Sequence, residues 1–158
     1  MKTFREKVAV ITGAGSGMGR YLAILLAKDG ADVCVCDVNE QTLNETVGML
    51  RKYNVSVSSH LLDVSDKESI EALPQKVIDQ HGKVDLVFNN AGVTTGAHFK
   101  DMDENNWDWV MGINFDGVVN STRAFIPHLI NNTEAAIVNT SSIFGMVTVP
   151  GQTVYHAT

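Results

Sequence analysis

The chain has 158 residues, 44% of them apolar and 19% charged. That is the length and make-up of one folded domain and argues against disorder. Twelve Lys and Arg against 18 Asp and Glu leave a net charge of −6, with no dense basic run, which makes nucleic acid and anionic membrane poor candidates as partners. Two cysteines, Cys34 and Cys36, exclude a disulfide framework.

At the N-terminus, Lys2, Arg5 and Lys7 precede an apolar run from Val8 to Ile11. That run is too short for a signal peptide, and no later run approaches the ~18 residues of a membrane span. The expected compartment is the cytoplasm, and the Asn-x-Ser/Thr triplets at Asn44 and Asn120 read as chance.

Lys7 to Ile11 reads as a buried strand. Met18, Leu22, Leu25 and Leu26 follow at helical spacing, and Gly30 closes that helix. Asp32 to Cys36 is a second strand, with both cysteines on one face as small buried groups and Asp37 at its end. Asn39 can cap the next helix, which carries Leu43, Val47 and Leu50 on one face. Val55 to Leu62 is a third strand. Ser65 and Glu68 have the spacing of a capping box, followed by Ile70, Leu73 and Val77 and closed at Gly82. Pro74 inside this helix predicts a kink or a shortening.

Val84 to Phe88 is a fourth strand. Asp103 to Asn132 holds two helices, with Pro127 as a second irregularity and Trp107 and Trp109 as anchors to the core. Ala135 to Thr140 is a fifth strand, and a last helix begins near Gln152. Strands and helices that alternate, with near-continuous apolar strands, predict an α/β fold: a parallel sheet covered on both faces. Right-handed crossovers make it a doubly wound Rossmann sheet, with an expected strand order of 3-2-1-4-5. Ligands of such sheets bind outside the C-terminal strand ends where the order reverses, here between strands 1 and 4.

That is where Thr12-Gly13-Ala14-Gly15-Ser16-Gly17-Met18-Gly19 lies. Glycines between a strand and a helix allow a sharp turn and a close approach of backbone to ligand. The helix N-terminus then offers unpaired N–H groups to a diphosphate. The spacing is not G-x-G-x-x-G but T-G-x-x-x-G-x-G, with Gly13, Gly17 and Gly19 in register. Asp37 at the end of strand 2 can accept hydrogen bonds from ribose hydroxyls and would repel a 2′-phosphate, and neither Ser16 nor Val38 is basic. The pattern favours NAD over NADP. Asp63 after strand 3 can accept from an adenine amino group.

Asn89-Asn90-Ala91-Gly92 after strand 4 makes the pattern specific. From residue 4 to 158 the chain resembles the largest subgroup of the short-chain dehydrogenase/reductase family. The resemblance rests on the glycine loop, Asp37, Asp63-Val64, Asn-Asn-Ala-Gly, Asn114, Ser142 and Tyr155. It implies a cofactor site at Gly13, Ser16, Gly17, Met18 and Gly19, with Asp37, Asp63 and Val64 on the adenosine side. Asn90, Ala91 and Gly92 would line the pocket, and Tyr155 would complete it. It also implies a catalytic set of Asn114, Ser142 and Tyr155. Tyr155 would act as general acid/base, and Ser142 (in preference to Ser141) would hold the substrate oxygen.

The implied function is hydride transfer between NAD(H) and a secondary alcohol or ketone; no His/Cys cluster has metal-ligand spacing, so no metal is expected. The partners implied are a small alcohol or carbonyl substrate and, in the full-length protein, a homodimer or homotetramer using the helix from about Asp116 to Asn132. Thr94, Thr95, His98, Met146, Val147 and Gln152 are candidates for the substrate wall. The family motif is Tyr-x-x-x-Lys, and the chain reads Tyr155-His156-Ala157-Thr158. Residues 1–158 therefore read as a single domain incomplete at its C-terminus, and the chain alone is expected to be nearly inactive. A tyrosine without a nearby cation has a pKa of about 10 and is only about one-thousandth ionised at pH 7. The alternative is a non-catalytic nucleotide-binding or interaction protein on the same fold. A lyase or epimerase is disfavoured by the glycine spacing.

Overall fold

The computed structural model describes residues 3–158; Lys2 lies outside them. Five strands, β1 (Val8–Thr12), β2 (Asp32–Asp37), β3 (Val57–Leu61), β4 (Leu86–Asn89) and β5 (Ala136–Asn139), form one sheet in the order β3-β2-β1-β4-β5. Every pairing is parallel. The doubly wound order expected from the sequence is the one observed.

Residues of β1 alternate between two cores, so the strand is buried on both faces. Val8 and Val10 pack with Cys34, Cys36 and the apolar stripes of α3 (Lys67–His81) and α5 (Gly117–Leu129). Ala9 and Ile11 pack with Val33, Val35 and the stripes of α1 (Gly17–Lys28) and α2 (Glu40–Leu50). Both cysteines are free and fully buried, with sulfurs 4.0 Å apart. The Cys36 thiol is pushed up, first by its hydrogen bond with Cys34 and then by burial.

Several local expectations are corrected. The buried face of α1 is Gly19, Ala23, Leu26 and Ala27, whereas Met18 is 70% exposed and Leu25 is exposed. Small residues lie against the sheet because the helix must approach the glycine turn closely. Ser65 does not cap α3. Asp66 is the N-cap and accepts from the Glu68 N–H, while Ser65 bonds Asp63. Pro74 neither ends nor shortens α3, which runs on for 15 residues with the proline buried. Trp109 is exposed, and the half-buried Trp107 packs edge-on against Phe99 rather than anchoring its helix to the main core. The expected pair of helices is α4 (Glu104–Met111) and α5, joined without a break by a π-turn, Gly112–Asp116.

Candidate functional site

The site lies at the C-terminal ends of β1 and β4, where the order of connection reverses. The turn after β1 is built on glycine because its own backbone fills the space a side chain would need. A Cβ on Gly19 would sit 2.2 Å from the Gly13 carbonyl oxygen, and one on Gly13 would sit 2.8 Å from the Ala91 Cα. Ser16 occupies the N-cap of α1 but makes no side-chain capping bond. The first N–H groups of the helix therefore keep no side-chain acceptor, and they have no intrahelical one. A turn of this kind, with a dipole end and free donors, fits a diphosphate.

Asp37 stands beside this turn. Its Oδ2 accepts from the Gly15 N–H at 2.7 Å and its Oδ1 from the Asn39 N–H at 2.9 Å. Each oxygen keeps further lone-pair capacity for a ligand hydroxyl. Asp63 uses Oδ1 to bond the backbone and hydroxyl of Ser65, at 2.9 and 2.7 Å. Val64 is buried against Gly117, where a Cβ would meet the Val64 carbonyl oxygen at 3.1 Å. Ser16, Met18, Asp37, Asp63 and Val64 line one lobe of a cleft, about 320 Å³ in volume.

A second lobe, of about 550 Å³, is lined by Asn114, Ser142 and Tyr155 together with Ser141 and Thr158. Both lobes are lined by Met18 and the segment Asn90 to Val93, so the two sets of expected residues border adjoining lobes of the same surface region. Asn114 lies in the π-turn. Its amide grips the Val93 backbone from both sides, accepting from N–H at 2.8 Å and donating to C=O at 2.9 Å, and it donates to the Thr158 hydroxyl at 3.3 Å. Ser142 accepts from the Phe144 N–H at 3.2 Å and opens a short 3-10 turn. Tyr155 is half-buried on α6 (Thr153–His156), its ring edge-on to Phe144 at 6.2 Å.

Of the expected wall residues, Thr94 lines the cleft; Thr95, His98, Met146, Val147 and Gln152 do not. Gln152 acts from behind, with its side chain 2.6 Å from the Thr94 hydroxyl, and its segment pairs with Ala97. His156 accepts through its Nε2 from the Val149 N–H at 3.1 Å.

Sequence reasoning missed Thr12 as a functional support. Its buried hydroxyl accepts from the N–H groups of Asn90 and Ala91 at 3.0 and 3.1 Å. The Asn90 side chain returns to the Thr12 carbonyl at 3.0 Å. The β1 turn and the β4 turn are thus strapped together under the cleft. The threonine at the head of the glycine motif was the one visible signal.

Among the described residues no helix is long and apolar enough to cross a membrane, and no group of three His, Cys, Asp or Glu side chains is placed to hold a metal ion.

The model of the short chain dehydrogenase family matches residues 7–158. The putative oxidoreductase SadH of Mycobacterium tuberculosis is 40% identical over 157 residues, 99% of this chain and 57% of SadH. The 3-oxoacyl-[acyl-carrier-protein] reductase FabG of Thermotoga maritima is 37% identical over 151 residues, 96% of this chain and 61% of FabG. Among solved structures, a short-chain dehydrogenase/reductase from Burkholderia phymatum in complex with NAD is 41% identical and superposes with a TM-score of 0.95, over 99% of this chain and 56% of that one. The chain thus spans a little over half the length of these relatives. With a family match over nearly its whole length and the glycine turn, acidic strand end and shared cleft in place, the chain belongs to the short-chain dehydrogenase family.

Proposed function

We propose that the protein is an NAD-dependent oxidoreductase acting on a secondary alcohol or the matching ketone, with residues 1–158 forming one dinucleotide-binding domain. The observation that carries this reading is the shared cleft. Asn114, Ser142 and Tyr155, distant in sequence, border a lobe that shares Met18 and Asn90 to Val93 with the lobe around Asp37. The NAD complex of the Burkholderia phymatum relative supports the cofactor, and the reductase name of the Thermotoga maritima relative supports the carbonyl substrate.

In this reading the N–H groups at Ser16 to Gly19 bind the diphosphate. Asp37 takes the adenosine ribose hydroxyls and disfavours a 2′-phosphate. Asp63 and Val64 border the adenine, and Asn90, Ala91 and Gly92 form the floor. When bound, the nicotinamide supplies or accepts the hydride. Ser142 donates a hydrogen bond to the substrate oxygen, and Tyr155 moves the proton at that oxygen as general acid or base. Asn114 holds the Val93 backbone and thereby the wall beside Tyr155.

Calorimetry on the chain tests the cofactor. NAD is expected to bind at least about tenfold more tightly than NADP, and tighter NADP binding would remove Asp37 from its role. For the chemistry, Tyr155→Phe in the full-length protein is expected to lower NAD reduction with secondary alcohols by about a hundredfold or more. Turnover equal to the unsubstituted full-length protein would overturn the assignment and favour a binding protein on the same fold.

A further inference from the structure

Behind the glycine turn, on the side away from the cleft, lies a polar cluster that the proposed chemistry does not use. Arg20, on the first turn of α1, reaches across to α2. Its Nε donates to the Thr46 hydroxyl at 2.9 Å, and its Nη2 donates to the Gly15 carbonyl, to the Thr42 carbonyl at 3.1 Å and to Glu45 at 3.0 Å. Thr46 is fully buried. Its hydroxyl, taking the Arg20 proton, gives its own to the Ala14 carbonyl at 2.9 Å, the shortest of its three acceptors. Two consecutive carbonyls of the turn, Ala14 and Gly15, are therefore gripped from outside.

The peptide plane turns this into a statement about the inside. In a planar trans peptide the C=O of one residue and the N–H of the next point in opposite directions, and among the described residues no peptide bond is cis. With the Ala14 carbonyl drawn toward Thr46, the Gly15 N–H faces the other way and meets Asp37 Oδ2 at 2.7 Å. With the Gly15 carbonyl drawn toward Arg20, the Ser16 N–H faces away from the guanidinium, and Ser16 borders the cleft. Gly15 tolerates no side chain here, because a Cβ would lie 2.6 Å from the Thr42 hydroxyl and 2.7 Å from the Asp37 carboxyl carbon. Glu45 pairs with the guanidinium, whose side chain is 22% exposed.

We propose that Arg20 and Thr46 are positioning residues for cofactor binding: by holding the Ala14 and Gly15 carbonyls from behind, they aim the Gly15 N–H at Asp37 and the Ser16 N–H at the diphosphate. The proposal rests on the NAD reading given above. It makes α2, none of whose residues lines either lobe of the cleft, the support that pre-orders the turn before the cofactor arrives. Pre-ordered donors spare the ordering cost at binding.

The test is calorimetry on the whole chain with NAD, ADP and adenosine as probes. Arg20→Met and Thr46→Val are each expected to raise the dissociation constant for NAD and ADP on the order of tenfold, the size of one lost charge-assisted or buried hydrogen bond. Thr46→Ser keeps the hydroxyl and is expected to stay near the unsubstituted value. Adenosine, which lacks the diphosphate, is expected to change by less than about threefold. Unchanged NAD binding in both Arg20→Met and Thr46→Val, with only the melting temperature lowered, would show a purely structural role and overturn the proposal. So would equal losses for adenosine and NAD. If Arg20→Met does not fold, the contrast between Thr46→Val and Thr46→Ser decides. If the unsubstituted chain binds no NAD, the cofactor reading itself fails and takes this inference with it.

Discussion

Thr12 is the residue on which two turns converge. Its hydroxyl is buried and accepts two backbone N–H groups, from Asn90 and Ala91, while donating toward the Phe88 carbonyl. Valine has the same shape without the oxygen. Thr12→Val would leave both donors without this acceptor in a poorly hydrated place, so it is expected to cost about 2 kcal/mol of stability and to weaken NAD binding as the Asn90 segment shifts. Denaturant unfolding monitored by circular dichroism checks the first part, and an unmoved midpoint would contradict it. Asp37 shows the same division of labour. Its place at a strand end made it visible as a candidate ribose acceptor, and its bonds to Gly15 and Asn39 make it also a part of the adjoining turn.

Helix α3 begins with a local competition. Ser65 and Glu68 have capping-box spacing, yet Ser65 is taken by Asp63 and the cap passes to Asp66. The Asp66 carboxyl is held below its ordinary value of 3.8, chiefly by the Ser69 hydroxyl and with help from the Ser69 and Glu68 backbone. A depressed carboxyl stabilises the fold fully above its unfolded value and loses that contribution as pH falls through its folded one. Asp66→Ala is therefore expected to lower the melting temperature at neutral pH, with a gap from the unsubstituted chain that narrows below about pH 4. A gap independent of pH would mean that the carboxylate charge contributes nothing. The π-turn at Gly112–Asp116 belongs to the same scale. The extra residue in the helical turn carries Asn114, and such turns recur at functional sites.

Across the whole molecule the sheet is asymmetric in its cover. β5 forms one edge, with Val138 44% exposed, and Ile130 and Ile143 near it in sequence are more exposed still. An open parallel edge with apolar neighbours invites pairing with a second chain. The 158-residue chain is expected to self-associate at micromolar concentrations, and Val138→Lys to reduce that association. Sedimentation showing a monomer for the unsubstituted chain across that range would sink the expectation.

What could be read from residue order was whatever depends on neighbours close along the chain. Strands alternating with helices pointed to the parallel sheet, the right-handed crossover rule to its double winding, and glycines between a strand and a helix to a candidate diphosphate turn. Asn114, Ser142 and Tyr155 were named through a family resemblance, since nothing local in a lone Asn, Ser or Tyr declares a role. Bringing them to one cleft depended on the sheet, because parallel β4 and β5 carry the segments that follow them to the same end. Thr46 at the back of the turn, Gln152 behind Thr94 and the exposed side of Met18 were likewise beyond residue order. Each depends on a contact between segments far apart in sequence, and such contacts exist only once the helices have packed on the sheet.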